Sequence, residues 1–77
     1  MIKRSIPTRE AAAIVADVAC AHGVPETEIL SDSRRRDLTA ARRDVYSRMF
    51  DLGVSYNQIG RLMQRHHTTV MFALGAA

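Results

Sequence analysis

Every apolar stripe in this chain repeats at helical spacing, and no stretch alternates apolar with polar residues. That pattern excludes a half-buried sheet, whose strands read with period two, and leaves a stack of amphipathic helices. Ala11, Ile14, Val15, Val18 and Ala19 form the first stripe. Its helix is expected to begin just after Pro7, with Thr8 as N-cap, and to stop at Gly23, placed as a C′ glycine. Pro25 suits the first position of a short second helix. Glu26 and Glu28 lie in its first turn, where the helix dipole favours carboxylates, and Ile29 and Leu30 supply its buried side. Ser31 to Asp37 holds no apolar residue and reads as an exposed basic loop. A third helix is expected from about Asp37 or Thr39 to Leu52. Leu38, Ala41, Val45, Met49 and Leu52 lie on its inner face, Arg42, Arg43, Ser47 and Arg48 lie away from it, and Gly53 closes it. Two Phe, two Tyr and no Trp leave the core to aliphatic side chains and Ala.

The last third carries the densest local signals. Ser55-Tyr56-Asn57-Gln58 fits a capping box, in which Ser and Gln side chains satisfy the free amides of a helix start. A short fourth helix follows, with Ile59, Leu62 and Met63 inward. Gln64-Arg65-His66 is too polar to extend that face and reads as a turn. A fifth helix begins at about His67, with Val70, Ala73 and Leu74 inward. The expected fold is all-α, about five helices in one domain over residues 1–77, with a helix-turn-helix at about 55–75. A chain of 77 residues makes one domain at most, and a core of that size spares no deep substrate cleft.

Charge is unevenly spread. Eleven basic residues face eight acidic ones, a net of +3, and all eight acids lie between Glu10 and Asp51. Lys3, Arg4 and Arg9 open the chain, Arg34, Arg35, Arg36, Arg42, Arg43 and Arg48 crowd its middle, and Arg61 and Arg65 follow. The 26 residues from Leu52 on hold no carboxylate. A basic middle with an acid-free end suits a polyanion, although basic helix faces are also commonly just solvated. The single cysteine, Cys20, cannot form an internal disulfide and reads as a small buried residue of the first helix. No apolar run is long enough to span a bilayer, and the start does not read as a signal peptide, so an intracellular, soluble protein is expected. The abrupt stop at Gly75-Ala76-Ala77 suits a piece of something longer.

Two short helices joined by a three-residue turn outline a helix-turn-helix, whose second helix enters the major groove and meets base edges with its first residues. Here those residues are His66, His67, Thr68 and Thr69. Thr offers a hydroxyl to a base or phosphate and a methyl to thymine, and His can donate to guanine or phosphate. Two adjacent Thr are poor helix formers, a cost that points to a role outside packing, with simple capping as the plainer account.

Ile59-Gly60 and Arg65-His66-His67-Thr68-Thr69-Val70 resemble the C-terminal DNA-binding domain of the bacterial replication initiator DnaA. That family shows Ile-Gly in the first helix of the motif and Arg-Asp-His-Thr-Thr-Val at the opening of the recognition helix. Ile29-Leu30-Ser31 with Arg34 to Arg36 resembles its basic loop, and Leu38 through Arg42 resembles the start of its long helix. The likeness covers roughly Thr8 to Leu74. It implies an all-α, Trp-repressor-like bundle that binds double-stranded DNA. It also implies His67, Thr68 and Thr69 in the major groove, Arg65 by the backbone at the turn, Arg42 gripping phosphate, and Arg34 and Arg36 in the basic loop. Ser55 to Asn57 would present amides to a phosphate. The sequence departs from the family in three places. His66 stands where the family has Asp, Ala40 stands at its minor-groove arginine, and its Gly-Gly turn is missing and one residue shorter. These positions choose bases.

No P-loop is present, so no nucleotide-driven motor is expected. No nucleophile, paired-carboxylate or metal-ligand spacing appears, and neighbouring His66 and His67 would diverge by about 100° on a helix. The expected protein is therefore no enzyme. It takes no cofactor and no metal, and it acts in the bacterial cytoplasm, at the nucleoid, as a transcription or replication-related DNA-binding factor. A protein partner or homodimer would compensate for a single weak helix-turn-helix. The rival reading is a protein-interaction module for an acidic or helical partner, built on Tyr46, Phe50, Tyr56, Met71 and Phe72. Ordinary core is the preferred reading of Phe50, with Met71 or Phe72 left at the surface.

Overall fold

The computed structural model describes residues 6–75. Lys3 and Arg4 of the basic start, and Ala76 and Ala77 at the other end, lie outside the described residues. Five helices follow one another: α1 (Thr8–His22), α2 (Glu26–Ile29), α3 (Arg36–Asp51), α4 (Tyr56–Leu62) and α5 (His67–Ala73). No strand occurs among the described residues. α3 is the hub and packs against all four others, while α4 and α5 pack on each other.

The stripes read from the sequence form the core. Ala11, Val15, Val18 and Ala19 of α1 are buried, and Ile14 packs at its edge. Leu38, Ala41, Val45 and Met49 of α3 meet Ile29 of α2, Ile59 and Met63 from the α4 segment, and Val70 of α5. Each buried Val, Leu, Ile or Met side chain contributes about 1.5–3 kcal/mol by leaving water.

The helix stops share one device. Gly23 adopts the left-handed conformation at φ 67°, its amide donates to Cys20 O, and the next amide, of buried Val24, donates to Ala19 O. Gly53 (φ 87°) and Val54 repeat the arrangement at the end of α3. Glycine fits both because L side chains disfavour that region. After α4 the same turn is made by Gln64, at φ 55°, with the Arg65 amide donating to Gly60 O at 2.7 Å. A non-glycine residue there stores local strain.

Several expectations are corrected. Pro7, not Thr8, is the N-cap of α1, and its carbonyl accepts from Glu10 and Ala11. Pro25 caps α2 rather than opening it. Leu30 and Leu52 are exposed, because each follows its helix and turns out of the stripe. Cys20 is exposed, since its position is one residue past the buried Val18–Ala19 pair and a helix turns about 100° per residue. Phe50 also faces solvent, stacked on Tyr56 with ring centroids 4.9 Å apart. Tyr46 is buried, and Phe72 is 78% exposed. No helix among the described residues is long and apolar enough to cross a membrane.

Candidate nucleic-acid interface

α4, its turn and α5 form a helix-turn-helix whose closeness depends on Gly60. A Cβ added at Gly60 would stand 2.6 Å from Arg65 O and 3.2 Å from His67 N, so only glycine lets the turn fold back against α4. Val70 anchors α5 in the core, while Thr68, Thr69 and Phe72 are exposed on its outer side. At the far end of α4, the Ser55 hydroxyl accepts from the Gln58 amide at 3.2 Å, the Ser half of the expected capping box. Asn57 is exposed one residue into that helix.

His66 is the N-cap of α5. Its Nδ1 accepts from the Thr68 amide at 3.3 Å and lies 2.7 Å from Thr68 Oγ1. Because His66 lies outside the helix proper, its ring does not diverge from that of His67. The centroids are 4.4 Å apart with a 32° tilt, which corrects the expected divergence.

Beside α5 opens a cleft of about 760 Å³, bounded by the 31–34 loop, α3, the turn and α5. Arg34, Arg42, Arg43 and Arg65 line it, together with Gln64, His66, Thr69 and Phe72. Arg34 and Arg43 are exposed, and neither forms an ion pair among the described residues. Arg36 is exposed at the first turn of α3, outside the cleft lining. Arg35 is engaged with Asp37, which is held below the usual carboxylate range first by that hydrogen bond.

Arg42 is the main correction. It is not on the solvent side of α3 but only 8% exposed, with its guanidinium turned into the loop. Nε donates to Ile29 O (2.7 Å), Nη1 to Ser33 O (2.5 Å), and Nη2 to Glu28 O (3.0 Å) and Ser31 O (2.7 Å). Four of its five N–H groups are thus engaged by backbone carbonyls, which makes the side chain an internal clamp. Burial, then the neighbouring Arg65 charge, lowers its pKa. Arg65 reaches the same Ser31 carbonyl from the turn. One carbonyl therefore joins the basic loop, α3 and the turn of the helix-turn-helix. Buried Tyr46 lies beneath, its pKa raised by burial and opposed by Arg65 and Arg42.

The site read from the sequence is thus partly assembled. Arg34, Arg65, His66 and Thr69 share the cleft, and His67 and Thr68 adjoin it at the start of α5. Ser55 and Asn57 stand apart, at the opposite end of α4. Arg43, Gln64 and Phe72 were missed. Arg43 was legible as a surface residue of α3, but only the folded-back loop shows that its side faces α5.

The family model described as the bacterial dnaA protein helix-turn-helix matches residues 11–75. The chain belongs to that family. It is a DNA-binding module of the DnaA helix-turn-helix type, and its all-α fold is the one the resemblance implied. Comparison with the curated proteins and with the solved structures gave no match.

Proposed function

We propose that this DnaA-family module binds double-stranded DNA sequence-specifically, laying α5 in the major groove. The observation that carries the reading is the pairing of a polar helix start, His66 to Thr69, with a cleft whose exposed arginines stand beside it. Thr68 and Thr69 meet base edges, with His67 beside them. Arg34, Arg36 and Arg43 grip phosphates, and Arg65 sets the turn against the backbone. Ser55 and Asn57, at the start of α4, meet the flanking strand. Arg42 acts through the loop and is a positioning residue. The chain serves as a regulator of transcription or a replication-related factor in the cytoplasm, at the nucleoid, without enzyme activity, nucleotide, metal or other cofactor.

The test is fluorescence anisotropy of the chain on random-sequence and then on selected duplexes, at several salt concentrations. Three phosphate-gripping arginines give a slope of log affinity on log salt of about −3 or steeper, at roughly −0.9 per contact. Binding that ignores salt would sink the reading. A second reading has its own observation. The stacked Phe50–Tyr56 pair and exposed Leu52 form an apolar surface that suits a protein partner or a second copy of the chain. A dimer or complex that survives high salt and is lost on Phe50→Ser would favour it.

A further inference from the structure

A large apolar side chain that adds nothing to the core stands on the outer side of α5. Phe72 is 78% exposed, more than Leu30, Phe50 or Leu52. The helix fixes where it points. Val70 is fully buried, and Phe72, two residues on, lies about 200° round from it, on the opposite side. Thr68 and Thr69 precede it by four and three residues, so the three exposed side chains share one face, with Phe72 a turn beyond the other two. Of the residues lining the neighbouring cleft, Phe72 alone is large, apolar and exposed, and it stands there with Thr69 and the exposed Arg34 and Arg43. The fully buried core of a protein interface is depleted of charge. A single ring among hydroxyls and cations suits instead the major groove, where isolated methyl groups sit between polar base edges and phosphates.

We propose that Phe72 selects a thymine by packing on its C5-methyl group in the major groove. This rests on the DNA reading above and adds a base position that the polar start of α5 does not reach. Thymine alone of the four bases carries a methyl there. Against that methyl the ring buries apolar surface. Against guanine, adenine or cytosine the same ring covers an acceptor or an amino group that it cannot bond, and a polar group that loses its water without a new partner is costly. The contact is therefore selective although no hydrogen bond is made. One helical turn advances about 5.4 Å and one base pair about 3.4 Å, so the thymine lies one or two base pairs from those that Thr68 and Thr69 face.

The experiment selects preferred duplexes from a randomised pool with the wild-type chain, with Phe72→Ala and with Phe72→Leu. Each thymine of the wild-type site is then replaced in turn by deoxyuridine, which lacks only the methyl. Phe72 is exposed, so thermal melts of the variants should match the wild type. At one thymine, deoxyuridine should weaken binding by about four-fold, the equivalent of one methyl group withdrawn from apolar contact. Phe72→Ala should relax that single position and leave the others unchanged, and deoxyuridine there should then make no difference. Phe72→Leu keeps an apolar tip and should keep the preference. A thymine whose methyl is met by Thr68 or Thr69 should stay sensitive in all three chains. The absence of any deoxyuridine effect that depends on Phe72 overturns the proposal while leaving DNA reading intact. So does an equal loss on all duplexes with Phe72→Ala, which would put the ring on the sugar–phosphate backbone. So too does unchanged binding and sequence, which would give the ring to a protein contact. No selected sequence from the wild type would overturn both readings.

Discussion

Removing the Arg42 guanidinium separates a clamp from a phosphate contact. In Arg42→Ala, Ser31 O keeps Arg65 and Glu28 O keeps the Ser31 hydroxyl at 2.7 Å, so the loss falls on Ile29 O and Ser33 O. Hydrogen bonds to a charged donor contribute about 1.5 kcal/mol or more each, which sets the cost near 3 kcal/mol. A domain of this size has roughly 4–12 kcal/mol in total. Thermal unfolding followed by circular dichroism should therefore shift down by roughly 12–24 °C. Lysine should not rescue, because one ammonium cannot reach the carbonyls spread around the edge of the planar guanidinium. Affinity for DNA should fall on every sequence, since the loop that carries Arg34 loses its tether to α3. The salt slope should nevertheless stay unchanged, because Arg42 neutralises no phosphate. A variant that melts like the wild type while its slope drops by about one unit would refute the clamp and restore a direct phosphate contact.

Three further outcomes follow from the same geometry. Gly60→Ala puts a methyl 2.6 Å from the Arg65 carbonyl and should cost about 1–3 kcal/mol in urea denaturation, with DNA affinity falling as α5 is pushed off α4. Thr69→Ala should cost about 1–3 kcal/mol on a selected site and little on random duplex, whereas Arg43→Ala should weaken both equally and reduce the salt slope by roughly one; like behaviour of the two would contradict their assignment. Asp44 is held below the usual carboxylate range by Arg48, bonded at 2.9 Å, and then by His22. A depressed carboxylate stabilises above its unfolded pKa and loses that contribution as pH falls through the folded value. Asp44→Asn should therefore lower the melting temperature at neutral pH and leave it unchanged at about pH 2, and an equal deficit at both would exclude the ion pair as the cause.

The sequence made α1, α3, α4 and α5 legible because periodicity and turn chemistry agree there. The stripe of Ala11, Val15, Val18 and Ala19 ends at a glycine that takes a positive φ, and the Ser55 cap sits where its three-residue spacing from Gln58 demands. Thr68, Thr69 and Val70 were readable for the same reason, since a seven-residue helix with one buried anchor has few faces to offer. Periodicity failed where a side chain's environment comes from another segment. Arg42 sits on the flank of the α3 stripe, and a polar residue there is assigned to solvent unless the loop before it is known to fold back. Local side-chain bonds in residues 31–34 come only from the Ser31 hydroxyl, which donates to Glu28 O and accepts from the Ser33 amide, and no apolar residue there announces the return. The loop is held by Arg42 and Arg65, residues that lie 13 and 34 positions from the carbonyls they bind.

That mutual dependence explains how a basic loop can serve a recognition helix. Arg34 is a long, solvated side chain on a loop that would ordinarily sample many positions relative to α5. The Ser31 carbonyl restricts that freedom by accepting one arginine from α3 and one from the turn, which holds the loop backbone beside α3 and the helix-turn-helix. Two of the four arginines in the cleft, Arg42 and Arg65, are thereby engaged with backbone carbonyls, and the other two, Arg34 and Arg43, are exposed. Arginine suits the carbonyl contacts because its planar fork can bond several carbonyls at once while keeping its charge. The positive potential of the clamped pair still contributes to the field that draws a duplex in, although neither guanidinium need touch it. On the proposed reading, base choice rests on residues at the start of α5 that lie outside the clamp. A variant that breaks the clamp should therefore lower affinity without changing the selected sequence, and one that alters the start of α5 should change the sequence without unfolding the loop.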